Sequence, residues 1–354
     1  MEHSLKDAGP APASNGALPI AQPRSKVDII LPCHNADAHL QQALHSVFAQ
    51  TYANWRIYAV DDGSRDNTLQ ILKSVSSRCS FVSQRQAGAA TARNRSIRMS
   101  NNPFIAFLDA DDEWLPSKLE TQIARLESDP TLGLICSRCS ISESGVQRYA
   151  GSAPRRMPNS GKLFAHLVRD CFIYTPTVVV RRSCLAEIGL FNESLAVSED
   201  FNLWLRIAAC WNICFLPDVL AITHKRPGSL SSSIAAETRL YNGVLSLQDV
   251  QRRSHTLTPA EARALRDALA QRFYFYGAQF LSTGASARSR PQFRAALKLR
   301  PRHWRAFAKL ILSFLPTQIS NSLAKWKRKF QSSVPTGAIP RRGPACWTTS
   351  PHDP

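Results

Sequence analysis

The run Phe104-Ile105-Ala106-Phe107-Leu108-Asp109-Ala110-Asp111-Asp112-Glu113-Trp114-Leu115-Pro116 limits this chain to few architectures. An apolar segment passes without a break into four acidic side chains within five positions. Such a segment reads as a strand buried on both faces, the kind found inside a helix-covered parallel sheet. Carboxylates crowded at a strand end repel one another unless a cation or hydrogen-bond donors hold them. Hard divalent cations such as Mg²⁺ or Mn²⁺ take oxygen ligands and suit such a site. In open α/β sheets, the crevice beyond the carboxyl ends of the strands is where ligands bind. A solvated acidic turn before a helix starting near Pro116 would use the same residues, so the flanking chain has to decide.

The flanks alternate strand and helix. Val27 to Leu31 reads as a strand stopped by Pro32, and Asn35 or Asp37 can cap a helix with Leu40, Leu44, Val47 and Phe48 on one face. Trp55 to Val60 is a second strand ending at Asp61-Asp62-Gly63-Ser64, and Asp66 or Thr68 opens the next helix. A weaker strand at Phe81–Ser83 and a helix from about Ala89 to Met99 lead into the acidic strand. This order predicts a mostly parallel sheet with helices on both faces. Two acidic strand ends, at 61–62 and 109–112, then fall on one sheet edge.

Beyond Pro116 the pattern predicts a helix to Ser128, a strand from Leu132 to Ile141, and a loop over 142–160. It continues with a strand from Tyr174 to Val180, a helix from Ser183 to Ile188, an amphipathic helix from Phe201 to Ala209, and short strands at 212–216 and 219–223. From about 236 only helices are predicted, over 240–254, 259–280 and 289–299. The expected division is a disordered segment 1–25, an α/β domain 26–235, a basic helical region 236–330 and a disordered tail 331–354.

Composition bears on partners and compartment. The net charge of +18 implies an anionic partner: nucleic acid, an anionic membrane surface or phosphate-bearing substrates. Arg288 to Lys329 holds many cations and no acid, with Trp304, Phe307, Leu310, Ile311, Leu312, Phe314 and Leu315 interleaved, which suits a membrane interface or a solvated basic face. Nine cysteines, an odd number scattered through apolar segments, suit reduced thiols. Cys136 and Cys139 form a lone CxxC without a second pair at zinc-ribbon spacing and read as incidental. No apolar run reaches the length of a membrane span and no secretory core precedes residue 26. The expected location is cytoplasmic, with peripheral contact at the inner face of the membrane as an option.

Taken in order, the motifs IILPCHN (29–35), VDDGSRDNT (60–68), QAGAATARN (86–94), FLDADDEWLP (107–116), TPTVVVRR (175–182) and GLFNESLAVSEDFNLWLRIA (189–208) resemble the family 2 glycosyltransferases. That group is inverting, depends on nucleotide-sugars and has the GT-A fold, a Rossmann-like nucleotide-binding sheet. The resemblance covers roughly residues 26–231. It implies that Pro32, His34 and Asn35 cradle the base and ribose, with His34 where Tyr is usual. Asp61 or Asp62 would bind the nucleobase while the other caps a helix. Gly88, Arg93 and Asn94 would hold the nucleotide and the acidic cluster. Asp109 is expected near the ribose and the metal, Asp111 as the direct ligand of Mn²⁺ or Mg²⁺, and Asp112 behind them. Glu199 and Asp200 match the ED pair, with Asp200 as general base; Ser198-Glu199-Asp200 can equally cap a helix. Trp114 suits packing better than a sugar platform.

The QxxRW motif of processive members is absent after the ED pair. HKRPGSLS (224–231) stands there instead, like the ending of non-processive members, with Arg226 expected on the diphosphate and His224 where Arg is common. The implied reaction moves one sugar from a nucleotide-sugar to a hydroxyl acceptor, a glycan or, as in bacterial relatives, a lipid-linked saccharide for surface polysaccharide. No nucleic acid partner is expected. A nucleotidyltransferase also uses a sheet and acidic ligands, but it needs neither the ED pair nor the ARN motif. An inactive sugar or nucleic-acid binder fits the charge, but it would be expected to have lost some of these aspartates.

Overall fold

A computed structural model of the chain describes residues 25–143, 146–150, 157–225, 234–254 and 256–315. Arg226 and the segments 1–24 and 316–354 lie outside the described residues.

The first half forms as its apolar periodicity predicts. β1 (Val27–Cys33), β2 (Trp55–Asp61), β3 (Cys79–Ser83) and β4 (Phe104–Phe107) alternate with α1 (Asp37–Phe48), α2 (Thr68–Ser74) and α3 (Ala89–Met99). The strands lie in the order β3-β2-β1-β4 and all four run parallel. The chain therefore builds outward from β1 to β3, then returns through α3 to β1's other side. A crevice opens where that order reverses, between the ends of β1 and β4. β4 is fully buried, and its backbone leaves the sheet at the acidic run to reach β5 (Glu113–Trp114), which pairs with the far end of the sheet.

The second half adds α4 (Lys118–Ser128), β6 (Leu132–Glu143), β7 (Val146–Ala150), β8 (Ser160–Gly161), α5 (Phe164–Leu167), β9 (Val179–Arg181), α6 (Arg182–Ile188), α7 (Glu199–Cys210) and β10 (Asn212–Lys225). β9 runs antiparallel between β4 and β6, so β6 and β10 point the same way as β1–β4 and the sheet is mixed but mostly parallel.

Three local expectations change. The strand expected over 174–180 is shorter, because Thr177 closes a 3₁₀ turn onto the carbonyl of Tyr174, with N–H and hydroxyl at 2.9 and 2.7 Å. Pro176 inside that turn has no N–H for a ladder. The two strands at 212–223 are one, with a register shift between Leu216 and Val219, where Pro217 again cannot donate. Part of the loop at 142–160 is sheet: β6 extends to Glu143, and β7 folds back on it.

Core residues line both faces. Val27, Ile29 and Leu31 pack under α1 and α4, while Ile30 and Phe107 meet α7. The C-terminal helices are α8 (Ala236–Arg253), α9 (Pro259–Ser282), α10 (Ser286–Leu299) and α11 (Trp304–Leu312). Val244 and Leu247 of α8 and Leu265 and Leu269 of α9 belong to the same core as Trp204 of α7. Asn202 of α7 also donates to Asp249 of α8 at 3.0 Å and to the Ser246 carbonyl at 3.1 Å. Among the described residues the core runs from the sheet through α7 into these helices.

Gly133 in β6 lies against Trp211, where α7 turns into β10, and a Cβ there would come within 2.5 Å of the Trp211 Cβ. Overpacking of that kind costs about 1–3 kcal/mol, so Gly133→Ala should lower the denaturant midpoint without changing the slope. An unchanged midpoint would mean that this junction yields.

Candidate active site

The turn after β1 is pinned to the loop after β2. Asn35 N–H donates to Ser64 Oγ at 2.9 Å, and its side-chain oxygen accepts from Arg65 N–H at 2.9 Å. Asn35 takes a left-handed conformation (φ 47°), which Asn tolerates better than most residues. It does not cap α1; Asp37 N–H is instead held by Asp66 Oδ2 at 3.0 Å. His34 Nδ1 lies 2.9 Å from the carbonyl of Asp62, and its Nε2 lies 3.2 Å from the amides of Asn35 and Gln86. A carbonyl only accepts, so Nδ1 carries the hydrogen and Nε2 receives. Pro32, His34 and Asn35 thus form one lip of the crevice, with His34 and Asn35 exposed.

Both aspartates at the end of β2 are buried and engaged. Asp61 accepts from Ser64 N–H at 3.1 Å and Ser83 Oγ at 3.0 Å. Asp62 accepts from the N–H groups of Ala87 and Gly88, both at 2.8 Å, and from Gln84 Nε2 at 2.7 Å. Neither caps α2, where Asp66 takes Thr68 N–H at 3.0 Å. Asp62 instead fastens the 84–88 segment to β2. Gly88 has φ 94° and open space where a Cβ would stand, so backbone conformation, not crowding, requires glycine. Its N–H, expected to face a ligand, is taken by Asp62.

Arg93 and Asn94 on α3 part company. Arg93 is 5% exposed, and its two terminal nitrogens lie 2.7 Å from Asp109 Oδ1 and 2.7 Å from Glu199 Oε1. Burial works against its charge, but Asp109 and Glu199 outweigh it and hold the proton more tightly than usual. Asn94 is buried and spends its amide on Phe191, accepting from its N–H and donating to its carbonyl, and on Glu193 at 2.7 Å. Asn94, expected to help hold the nucleotide and the acidic cluster, here clamps the 191–193 loop.

The acidic run turns tightly, with Asp112 N–H donating to the Asp109 carbonyl at 3.1 Å. Asp109 keeps 27% of its side chain exposed and Asp111 is half-buried, whereas Asp112 is buried and accepts from His224 N–H at 3.2 Å. Burial, reinforced by Asp109 and Asp111, pushes the Asp112 carboxyl well above the usual range. Glu113 receives Gln42 Nε2 at 2.6 Å and contacts His224 Nε2, so His224 meets a carboxylate at the crevice. Trp114 is buried and donates to the Pro176 carbonyl at 2.8 Å, a packing role.

At the start of α7, Ser198 is left-handed (φ 65°) and makes no side-chain cap. Glu199 is buried on Arg93, whereas Asp200 is half-buried and accepts from Thr175 Oγ1 at 3.2 Å and from Phe201 N–H at 2.6 Å. Burial, then Asp200, push the Glu199 carboxyl up to about 7 against the pull of Arg93. Sequence reasoning had not assigned a role to Thr175 or Glu113; TPT at 175–177 was quoted only as part of a motif. Two buried polar atoms beside these groups, Arg93 Nε and Ser198 Oγ, have no partner among the described residues.

The donor set fits a hard divalent cation of the kind held by one or two carboxylates and completed by phosphate oxygens. Asp109 and Asp111 supply oxygen donors, and their repulsion with Asp112, which adds to burial in raising its carboxyl, is what a cation would relieve. No three His, Cys, Asp or Glu side chains converge into a ready-made cage among the described residues. Arg226, expected on the diphosphate, lies outside them.

A carboxyl raised from 4.5 to about 7 binds more protons folded than unfolded between those values, so its contribution to stability falls as pH rises through that window. Melting curves should therefore decline less from pH 5 to 8 for Glu199→Gln than for the wild type. Parallel declines would show that Glu199 is already ionised throughout.

Residues 28–189 match the family model for Glycosyl transferase family 2. The chain is 35% identical over 191 residues, 53% of itself and 71% of its relative, to the UDP-Glc:alpha-D-GlcNAc-diphosphoundecaprenol beta-1,3-glucosyltransferase WfgD of Escherichia coli. Among solved structures, S. aureus TarS 1-349 in complex with UDP-GlcNAc superposes with a TM-score of 0.65 at 19% identity, over 85% of this chain and 92% of that one. The mannosyltransferase PcManGT from Pyrobaculum calidifontis, in complex with GDP-Man and Mn²⁺, gives 0.53 at 19%, over 83% and 89%. At such identities the two structures speak to the fold, the GT-A arrangement expected from the motifs. The relative, the family model and the motif order agree: this chain belongs to glycosyltransferase family 2.

Proposed function

We propose that this glycosyltransferase moves a single sugar from a nucleotide-sugar to a hydroxyl of a lipid-linked saccharide or related glycan, with inversion. The observation that carries this reading is Arg93, one buried guanidinium joining the Asp109 end of the donor strand to Glu199 of the ED pair. Such a link supports a reading in which the leaving-group end and the acceptor end of a displacement share one support.

Pro32, His34 and Asn35 line the nucleoside side of the crevice, and Asp61 and Asp62 shape its floor by fixing the backbone that the base rests on. Asp111 and Asp109 are the residues that would hold Mn²⁺ or Mg²⁺; when bound, the cation offsets negative charge on the departing diphosphate. PcManGT, a neighbour of the same fold in complex with GDP-Man and Mn²⁺, supports a divalent cation as the partner of the sugar nucleotide. Asp200, half-buried at the helix start, takes the proton of the attacking hydroxyl, and Thr175 orients its carboxylate. A base opposite the leaving group gives a single displacement, and hence inversion. Arg226 is proposed as a further diphosphate contact.

The name of WfgD specifies a diphosphoundecaprenol acceptor, which supports a lipid-linked acceptor here and a site of action at the cytoplasmic membrane face. The UDP complex partner of TarS and the UDP-Glc of WfgD make uridine donors the first to test.

Thermal-shift measurements with UDP, GDP, CDP and their sugars should find one base whose stabilisation grows with Mn²⁺. Asp111→Ala should lose the Mn²⁺-dependent part of that shift along with transfer. Asp200→Asn should keep the nucleotide shift while transfer falls by about 10²–10⁴. Near-normal transfer by Asp200→Asn would remove it as the base.

A further inference from the structure

Five large apolar side chains on and just after α11 remain exposed: Trp304 (70%), Phe307 (57%), Ile311 (51%), Phe314 (56%) and Leu315 (36%). Their spacing of three and four places them on one stripe of the helix. The opposite side is docked: Ala306 is fully buried against Phe293 and Ala296 of α10, and Arg290 donates to the Ser313 carbonyl at 2.8 Å. The helix is therefore held in place with its apolar stripe turned outward. Single exposed apolar residues are ordinary, but a contiguous patch marks a surface that meets something.

The surrounding charge selects the occupant. Arg302 and Arg305 are exposed at the Trp304 end of the stripe, with the Arg305 guanidinium 5.4 Å from the centre of the Trp304 ring, and no acidic residue occurs between Asp267 and Asp353. A second copy would bring the same positive charge against this face. Nucleic acid would use the cations but not the aromatic and aliphatic stripe. An anionic bilayer uses both, phosphate headgroups meeting the cations and the acyl boundary receiving the apolar side chains. Tryptophan suits that boundary in particular. Among the described residues no helix is long and apolar enough to cross a membrane, so contact through α11 would be in the plane of the interface.

We infer that the outer face of α11 is a docking surface for an anionic lipid bilayer. Trp304, Phe307 and Ile311 enter the interface while Arg302 and Arg305 bind headgroup phosphates. This contact stands apart from the proposed reaction, since none of these residues belongs to the donor or acceptor site, and it would hold whichever sugar is moved.

The test is flotation of the full chain with phosphatidylcholine vesicles, with and without phosphatidylglycerol. Binding is expected only with the anionic lipid, and the triple variant Trp304→Ser/Phe307→Ser/Ile311→Ser should lower the bound fraction at least ~tenfold. Arg302→Gln/Arg305→Gln should weaken binding and flatten its salt dependence. Both variants should keep the wild-type nucleotide-dependent thermal shift, which separates this contact from the active site. As a milder probe, quenching of tryptophan emission by lipids brominated on their acyl chains should diminish in Trp304→Phe. The inference is overturned if the serine variant floats like the wild type, leaving only surface electrostatics. It is equally overturned if Trp304→Phe quenches unchanged, or if the wild type ignores vesicles and forms a dimer that the serine variant dissociates.

Discussion

Arg93 is the interaction on which the rest of the site depends. Without it, Asp109 and Glu199 would be two carboxylates brought together with no cation between them, one of them buried. With it, each is held at 2.7 Å by a guanidinium that burial alone would disfavour. Partly desolvated pairs of this type are costly to break from one side, because the surviving charge is left buried and unmatched. The pairing also sets distance: α3, the end of β4 and the start of α7 converge on one side chain. A lysine could supply charge there but not two diverging donors in a fixed plane.

Around that hub, other residues set the position of the groups that face the crevice. Trp114 donates to the Pro176 carbonyl, and Gln122 to the Thr177 carbonyl, each at 2.8 Å. Gln122 is steadied in turn by Lys118, which is fully buried, 2.8 Å from its side-chain oxygen and 4.2 Å from the Trp114 ring. Burial drives the Lys118 amine well below its usual range. These three residues fix the turn that presents Thr175 to Asp200. The acidic strap and the ED pair are thus connected twice, through Arg93 and through this turn.

Much of the first half was legible in the sequence, because β1, α1, β2, α3 and β4 each carry their own apolar period. The acidic strand end and the ED pair were legible as chemistry, since carboxylates in such places need a reason. Asn94 was not, because a buried amide serving a loop a hundred positions away leaves no local trace. The same holds for Thr175, which meets Asp200 across 25 positions, and for the meeting of His224 with Glu113, which exists only once β10 pairs with β5. Pro176 and Pro217 were visible but under-read: each removes a ladder donor, and each marks where an expected strand is interrupted. The partner of the Gly88 amide was hidden for a related reason, since Asp62 lies 26 positions away in the chain.

The continuity of the core through α7, α8 and α9 separates two notions of a unit in this chain. The segment that matches the family model, residues 28–189, is a unit of descent. As a unit of folding it is incomplete, since Trp204, Leu247 and Leu269 close the face of the sheet that Ile30 and Phe107 open. The face of the sheet inside the matched segment is thus covered by side chains from outside it. A change on the inner side of the C-terminal helices therefore reaches, through the shared core, the helix that bears Glu199 and Asp200.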